Sequence, residues 1–322
     1  MSADDIPGPR KTYREALVGL AQDDPRIFCI DADTMGLQGT FGAEMPERYV
    51  NVGIAEATAI SIAAGLAAAG NLPHFATMAT FATFRAAEQI KVDVVGNNLP
   101  VRITGTHGGF AAGHLGSTHH ALEDIAVMRS LPNMTVVVAA DGARVARLVP
   151  ALAQLPGPTY LRIGRDETLD LGGDLERLEV GEALTLREGD DVAILAAGGY
   201  PLVFALEAHE ALAAQGIAAR VVEIHTIAPI DAEAVVDAAA STAGIVTVED
   251  HRVVGGLASA VAEVTAARQP CRVMPVAVPL GEKARGRVGG HRELLEAAGV
   301  RTEAVIDAAR ALVDSEQVAA AG

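Results

Sequence analysis

The chain has 322 residues, 50% of them apolar and 20% charged, with 25 basic against 41 acidic side chains and a formal net charge of −16. That is ample material for two globular domains, and so acidic a balance argues against a nucleic-acid or anionic-membrane partner. The start, MSADDIPGPRK, lacks an apolar signal-like segment and no apolar run approaches the ~20 residues that span a bilayer, so a soluble cytoplasmic protein is expected.

Strands and helices alternate along the chain. The first strand is expected at Arg26 to Asp31, the second at Tyr49 to Ile54, followed by a helix to about Gly70 and a strand near Pro73 to Thr77. A helix from about Phe84 to Val95, a strand Val101 to Thr106, a glycine-rich loop and a helix around Leu122 to Ser130 come next. Thr135 to Ala139, a helix from about Ala143 and Tyr160 to Ile163 complete the half. Unbroken apolar strands interleaved with helices indicate a doubly wound α/β domain on a mostly parallel sheet. The charged stretch Arg165 to Glu182 reads as a linker, which sets domains at 1–172 and 173–322. Strands at Val192 to Ala196, Arg220 to Ile224, Ala243 to Val248 and Arg272 to Val278 then build a second, smaller α/β domain. Cys29 and Cys271 lie in apolar runs without a CxxC pair, so core thiols are expected rather than a disulfide framework or zinc site.

Three segments carry chemistry. Asn51-Val-Gly-Ile-Ala-Glu56 runs from an apolar strand through a glycine into a carboxylate that opens an Ala/Ile helix. Ala79-Thr-Phe81-Ala-Thr-Phe84-Arg85 places two aromatics, scarce in a chain with seven Phe, four Tyr and no Trp, 25 and 28 residues later. Gly105-Thr-His107-Gly-Gly-Phe-Ala-Ala-Gly-His114-Leu-Gly-Ser-Thr-His119-His120 gathers four of the nine histidines within fourteen residues after a strand, at the edge where open α/β sheets place ligands. Glycine permits close backbone approach, and histidine titrates near neutrality and can move protons. Zinc is a competing reading of the loop, but no i, i+4 histidine pair or CxxC supports it, and no metal ligands are assigned.

Together these segments resemble the pyrimidine-binding domain of the transketolases, and the region after Gly181 resembles their C-terminal domain. The resemblance implies a thiamine-diphosphate enzyme in which Glu56 hydrogen-bonds the cofactor's aminopyrimidine nitrogen. Such a carboxyl must hold a proton part of the time; apolar burial favours this, while the helix N-terminus opposes it. The resemblance further implies that Phe81 and Phe84 stack on or enclose the pyrimidine and that His107 and His119 assist proton transfer or hold substrate oxygens. Arg165, in Tyr160-Leu-Arg162-Ile-Gly-Arg165, would contact a substrate phosphate. Asp33 would present a polar group to cofactor or substrate, whereas Asp31 reads as a turn cap and Arg162 as structural. Where many members read Gly-Glu-Asp-Gly-Pro-Thr-His, this chain has His114 and Leu115 in place of the acidic pair. That departure puts ordinary pentose-phosphate substrates in doubt and offers His114 as a substitute substrate contact.

No Gly-Asp-Gly is followed ~25 to 30 residues later by Asn-Asn, the pattern with which transketolases hold Mg²⁺ and the diphosphate. The expectation is therefore a C-terminal subunit of a split transketolase, transferring a two-carbon ketol unit, active only with an N-terminal subunit that holds Mg²⁺, in an α2β2 particle. The alternatives are the β subunit of a 2-oxoacid dehydrogenase first component, or a non-catalytic regulatory subunit. In the second half, Gly255-Gly256 before a helix reads as a tight turn or a phosphate cradle. Lys283, Arg285, Arg287 and Arg292 form a basic cluster, read as a solvated face or an anion or subunit contact.

Overall fold

A computed structural model describes residues 7–281 and 286–321. Lys283 and Arg285 lie outside the described residues.

Seven strands form the first sheet: β1 Ile27–Asp31, β2 Tyr49–Asn51, β3 Leu72–Met78, β4 Arg102–Thr106, β5 Thr135–Ala139, β6 Thr159–Ile163 and β10 Thr226–Ala228. Their order across the sheet is β10-β5-β6-β4-β3-β1-β2. All neighbours are parallel except β10, which runs antiparallel to β5. The second sheet is built from β7 Leu184–Arg187, β8 Val192–Ala197, β9 Ala219–Glu223, β11 Ile245–Arg252 and β12 Val273–Val278, in the order β12-β11-β8-β9-β7. Only β7 in it is antiparallel. β4, β5, β6 and β8 are buried along nearly their whole length, as sheets covered on both faces require.

The expected strands are present, and three further elements were not expected. A helix spans Pro9–Asp23, with proline in its first turn and Tyr13, Leu17 and Ala21 buried one turn apart. β7 is a short edge strand. β10 follows the linker in sequence yet joins the first sheet, so the two halves share a seam. The helix expected from Phe84 instead begins at Ala79, directly off β3, and ends at Phe84; a turn at Ala87–Gln89 and a π-helical turn at Ile90–Val95 follow.

One cluster of buried apolar side chains runs from Leu17 and Leu148 in the first half to Ile194 and Leu312 in the second. A buried ion triad reinforces the seam: Arg144 Nη1 lies 2.6 Å from Asp141 Oδ2 and its Nε 2.7 Å from Glu223 Oε2, all three within 2% of full burial. No helix among the described residues is long and apolar enough to cross a membrane.

Candidate active site

In a parallel sheet every strand delivers its carboxyl end to the same edge. Register places Asp31 beside Asn51 and Ala76, Met78 beside Thr106, and Gly105 beside Arg162. Asp33, Glu56, Phe81, His107 and Arg165 all follow those strand ends, and so they line one rim. Two non-glycine residues there are left-handed, Asp33 at φ 61° and His107 at φ 56°, a conformation that surrounding structure must enforce.

Glu56 opens the Glu56–Ala68 helix and is fully buried. Both its oxygens accept from one terminal nitrogen of Arg85, Nη1, at 2.9 and 2.8 Å. The Arg85 guanidinium carbon in turn lies 4.2 Å from the centroid of the half-buried Phe81 ring. Phe81 meets the His119 ring edge to face, 5.3 Å between centroids. His119 Nδ1 is 2.9 Å from Thr118 Oγ1. Thus Glu56, Phe81 and His119 are one cluster, linked by an arginine to which the sequence pattern assigned no role. Phe84, one turn beyond Phe81, points outward and is 58% exposed, as is Ile54 at 75%. Asp33 is exposed.

A second cluster sits around the histidine loop. His107 is buried, with Nδ1 2.8 Å from Thr106 Oγ1, and burial, aided by nearby Arg10 and Arg165, pushes its ring down to about 3. At pH 7 that leaves the ring neutral. Arg165 Nη1 lies 3.2 Å from both ring nitrogens of His114, and its Nε 3.1 Å from Asp166. His114, Arg165 and Asp166 open on a cleft of about 440 Å³ lined also by Tyr200 and His291.

His291 was not expected. It is the first residue of the His291–Ala298 helix, with Nε2 2.6 Å from Asp250 Oδ2 and Nδ1 2.9 Å from Glu167 Oε1. Asp250 accepts the amide of Phe110 in the histidine loop, and Glu167 accepts the amide of Arg165. Gly109 lets the loop approach, since a Cβ there would come within 1.7 Å of Asp250 Oδ2. Burial works against a charged His291, but the two carboxylates overcome it and raise the ring to about 9. Arg162 is indeed internal: its Nε is 2.9 Å from Asp124, and Nη2 donates to the carbonyls of Ala121 and Asp250. Asp31 caps its turn through the amide of Thr34 and accepts from Tyr49. The Gly255-Gly256 helix start is a turn rather than a phosphate cradle, because Glu249 already accepts the amides of Leu257 and Ala258.

Residues 8–169 match the family described as transketolase, pyrimidine binding domain, and residues 181–309 the transketolase, C-terminal domain. The chain belongs to the transketolase family. It is 37% identical over 307 residues to a 6-deoxy-6-sulfo-D-fructose transketolase subunit of Clostridium sp., covering 95% of this chain and 94% of that protein. It is 39% identical over 274 residues to an apulose-4-phosphate transketolase subunit of Phocaeicola vulgatus, covering 84% and 87%. Among solved structures, one described as a split gene transketolase, inactive beta4 tetramer, matches with TM-score 0.84 at 39% identity over 95% of this chain and 98% of that one. This transketolase subunit is thus a transferase component of a thiamine-diphosphate enzyme.

The cluster at Glu56 fits one end of that cofactor. A flat, nitrogen-edged group, the Arg85 guanidinium, already lies against an aromatic face with its edge on a buried carboxylate, and an aminopyrimidine has the same demands. Among the described residues no group of three or more His, Cys, Asp or Glu side chains could hold a metal ion.

Proposed function

We propose that this subunit assembles with a separate N-terminal transketolase subunit, as an α2β2 particle in the cytoplasm, and there transfers a two-carbon ketol unit between sugar-like substrates. The domains divide at 172/173, and the partner holds Mg²⁺ and the diphosphate of thiamine diphosphate. The observation that carries the reading is the buried Glu56 beside Phe81 and His119. When bound, the cofactor supplies a nucleophilic carbon that accepts and releases the ketol unit.

The chain's own residues have distinct roles in this reading. Glu56 gives a hydrogen bond to the pyrimidine nitrogen, and Phe81 covers a ring face, with Phe84 exposed at the rim for a partner or cofactor to cover. His107, held neutral, donates or accepts a hydrogen bond at a substrate oxygen, and His119 holds or moves a proton at a neighbouring hydroxyl. Arg165 and His114 face the cleft and receive the anionic end of the substrate, with Asp33 reaching the rim from β1. Leu115, in place of the family aspartate, withdraws one hydroxyl-recognising group. The relatives are named for a sulfonated and a phosphorylated sugar, which supports substrates that end in a tetrahedral oxyanion.

Purified alone with thiamine diphosphate and Mg²⁺, the chain should show no ketol transfer, and activity should appear on adding the N-terminal subunit. Robust transfer by the chain alone would overturn the split assembly.

A further inference from the structure

Among the described residues, three buried acidic sites pair with arginine, and one of them is unlike the others. Arg144 and Arg162, which serve Asp141, Glu223 and Asp124, are themselves 1% and 4% exposed and hydrogen-bond to further internal groups. They are sealed into the fold. Arg85 serves a fully buried acid, Glu56, yet its own side chain is 43% exposed. Its contacts are also spare: one nitrogen, Nη1, reaches both Glu56 oxygens, and the plane rests near Phe81. A buried carboxylate needs some partner, and a flexible, water-facing arginine is one that can leave without unfolding anything.

The position it fills is the one assigned above to the pyrimidine ring, so the inference rests on that reading of Glu56 and Phe81. Guanidinium and aminopyrimidine are both planar and both want an aromatic face and an acid at the edge; the two cannot occupy the same place. We propose that Arg85 is a built-in occupant of the pyrimidine position, satisfying Glu56 and shielding Phe81 until the cofactor is bound, when it turns out toward solvent. The exposed half of the side chain is its exit. The arginine thereby keeps the acid buried and paired in the cofactor-free subunit and lowers the apparent cofactor affinity, because only chains with the position vacated can bind.

The test uses the subunit with its N-terminal partner and Mg²⁺, and reads thiamine-diphosphate binding by calorimetry rather than turnover. Arg85→Met, which keeps the stem and removes the guanidinium, should bind the cofactor on the order of tenfold more tightly than wild type. Arg85→Lys, which keeps the charge but cannot lie flat on Phe81, should fall between. Unchanged or weaker binding by Arg85→Met overturns the proposal, weaker binding meaning that Arg85 contacts the cofactor directly. Adding Glu56→Gln to Arg85→Met separates this from the underlying assignment. With no arginine competing, loss of affinity in the double variant upholds Glu56 as the ring's partner whatever Arg85 does; no loss removes the assignment, and the proposal with it. A crystal structure of the cofactor-loaded complex gives a second readout, in which Arg85 still seated over Phe81 would also refute the proposal.

Discussion

His291 joins the two halves at the cleft, and its charge should be visible in the pH dependence of stability. The ring sits between Asp250 and Glu167, is 13% exposed, and is raised from 6.5 to about 9 by those carboxylates against the cost of its burial. A group whose folded value lies above its unfolded one stabilises most below the unfolded value, and the gain is lost as pH rises through the folded value. The rise corresponds to about 3 kcal/mol, present in full below pH 6.5 and gone above pH 9. Glu167, lowered to about 2 against its burial by the hydrogen bond from His291, is the same contact seen from its other end and is not added. Its contribution is present above pH 4.5 and lost toward pH 2, so the pair is strongest between about pH 4.5 and 6.5. Urea unfolding of wild type and His291→Gln, followed from pH 6 to 10, isolates the effect. The wild-type advantage should shrink by about 3 kcal/mol across that range. Parallel curves would show that His291 does not hold its extra proton, and the reasoning would fail.

Glu223→Ala leaves Arg144 fully buried with only Asp141 and the Gly172 carbonyl, and should lower stability by about 3 kcal/mol in urea unfolding; a loss under about 1 kcal/mol would mean the triad does not hold the seam. Arg165→Met should raise KM for an acceptor with a phosphate or sulfonate end by at least about tenfold and leave an uncharged aldehyde acceptor nearly unaffected. An equal effect on both acceptors would move Arg165 away from the anion. In the cofactor-bound complex, Phe81→Ala should weaken thiamine-diphosphate binding by roughly tenfold, in keeping with about 1.4 kcal/mol for a lost aromatic face, as read by calorimetry.

Much of this was legible in the sequence for identifiable reasons. Buried parallel strands are continuous apolar runs, so Thr135–Ala139 stands out at its observed bounds. Glu56, Phe81 and the histidine loop each follow such a run, and a parallel sheet brings them to one edge. The first helix was missed because MSADDIPGPRK looks like a tail; Pro9 and the four-residue spacing of Tyr13, Leu17 and Ala21 were the available signals. β10 is three residues long and pairs across the halves, a long-range contact that local pattern does not encode. Arg85 was in view, four residues after Phe81, but its exposure and its reach to Glu56 are tertiary facts. His291 gave still less, since a histidine opening a helix is uninformative until Asp250 and Glu167 close on it. The neutral state of His107 likewise comes from burial and neighbouring arginines that no spacing reveals.

The account turns on the acid at the start of the Glu56–Ala68 helix. Glu56→Gln, which keeps the shape and removes the ionisable acid, should be assayed for ketol transfer in the complex with the N-terminal subunit at saturating thiamine diphosphate and Mg²⁺. The rate is expected to fall by at least about a hundredfold, the low end for a lost acid–base group. Undiminished transfer would contradict the claim that this carboxyl activates the cofactor.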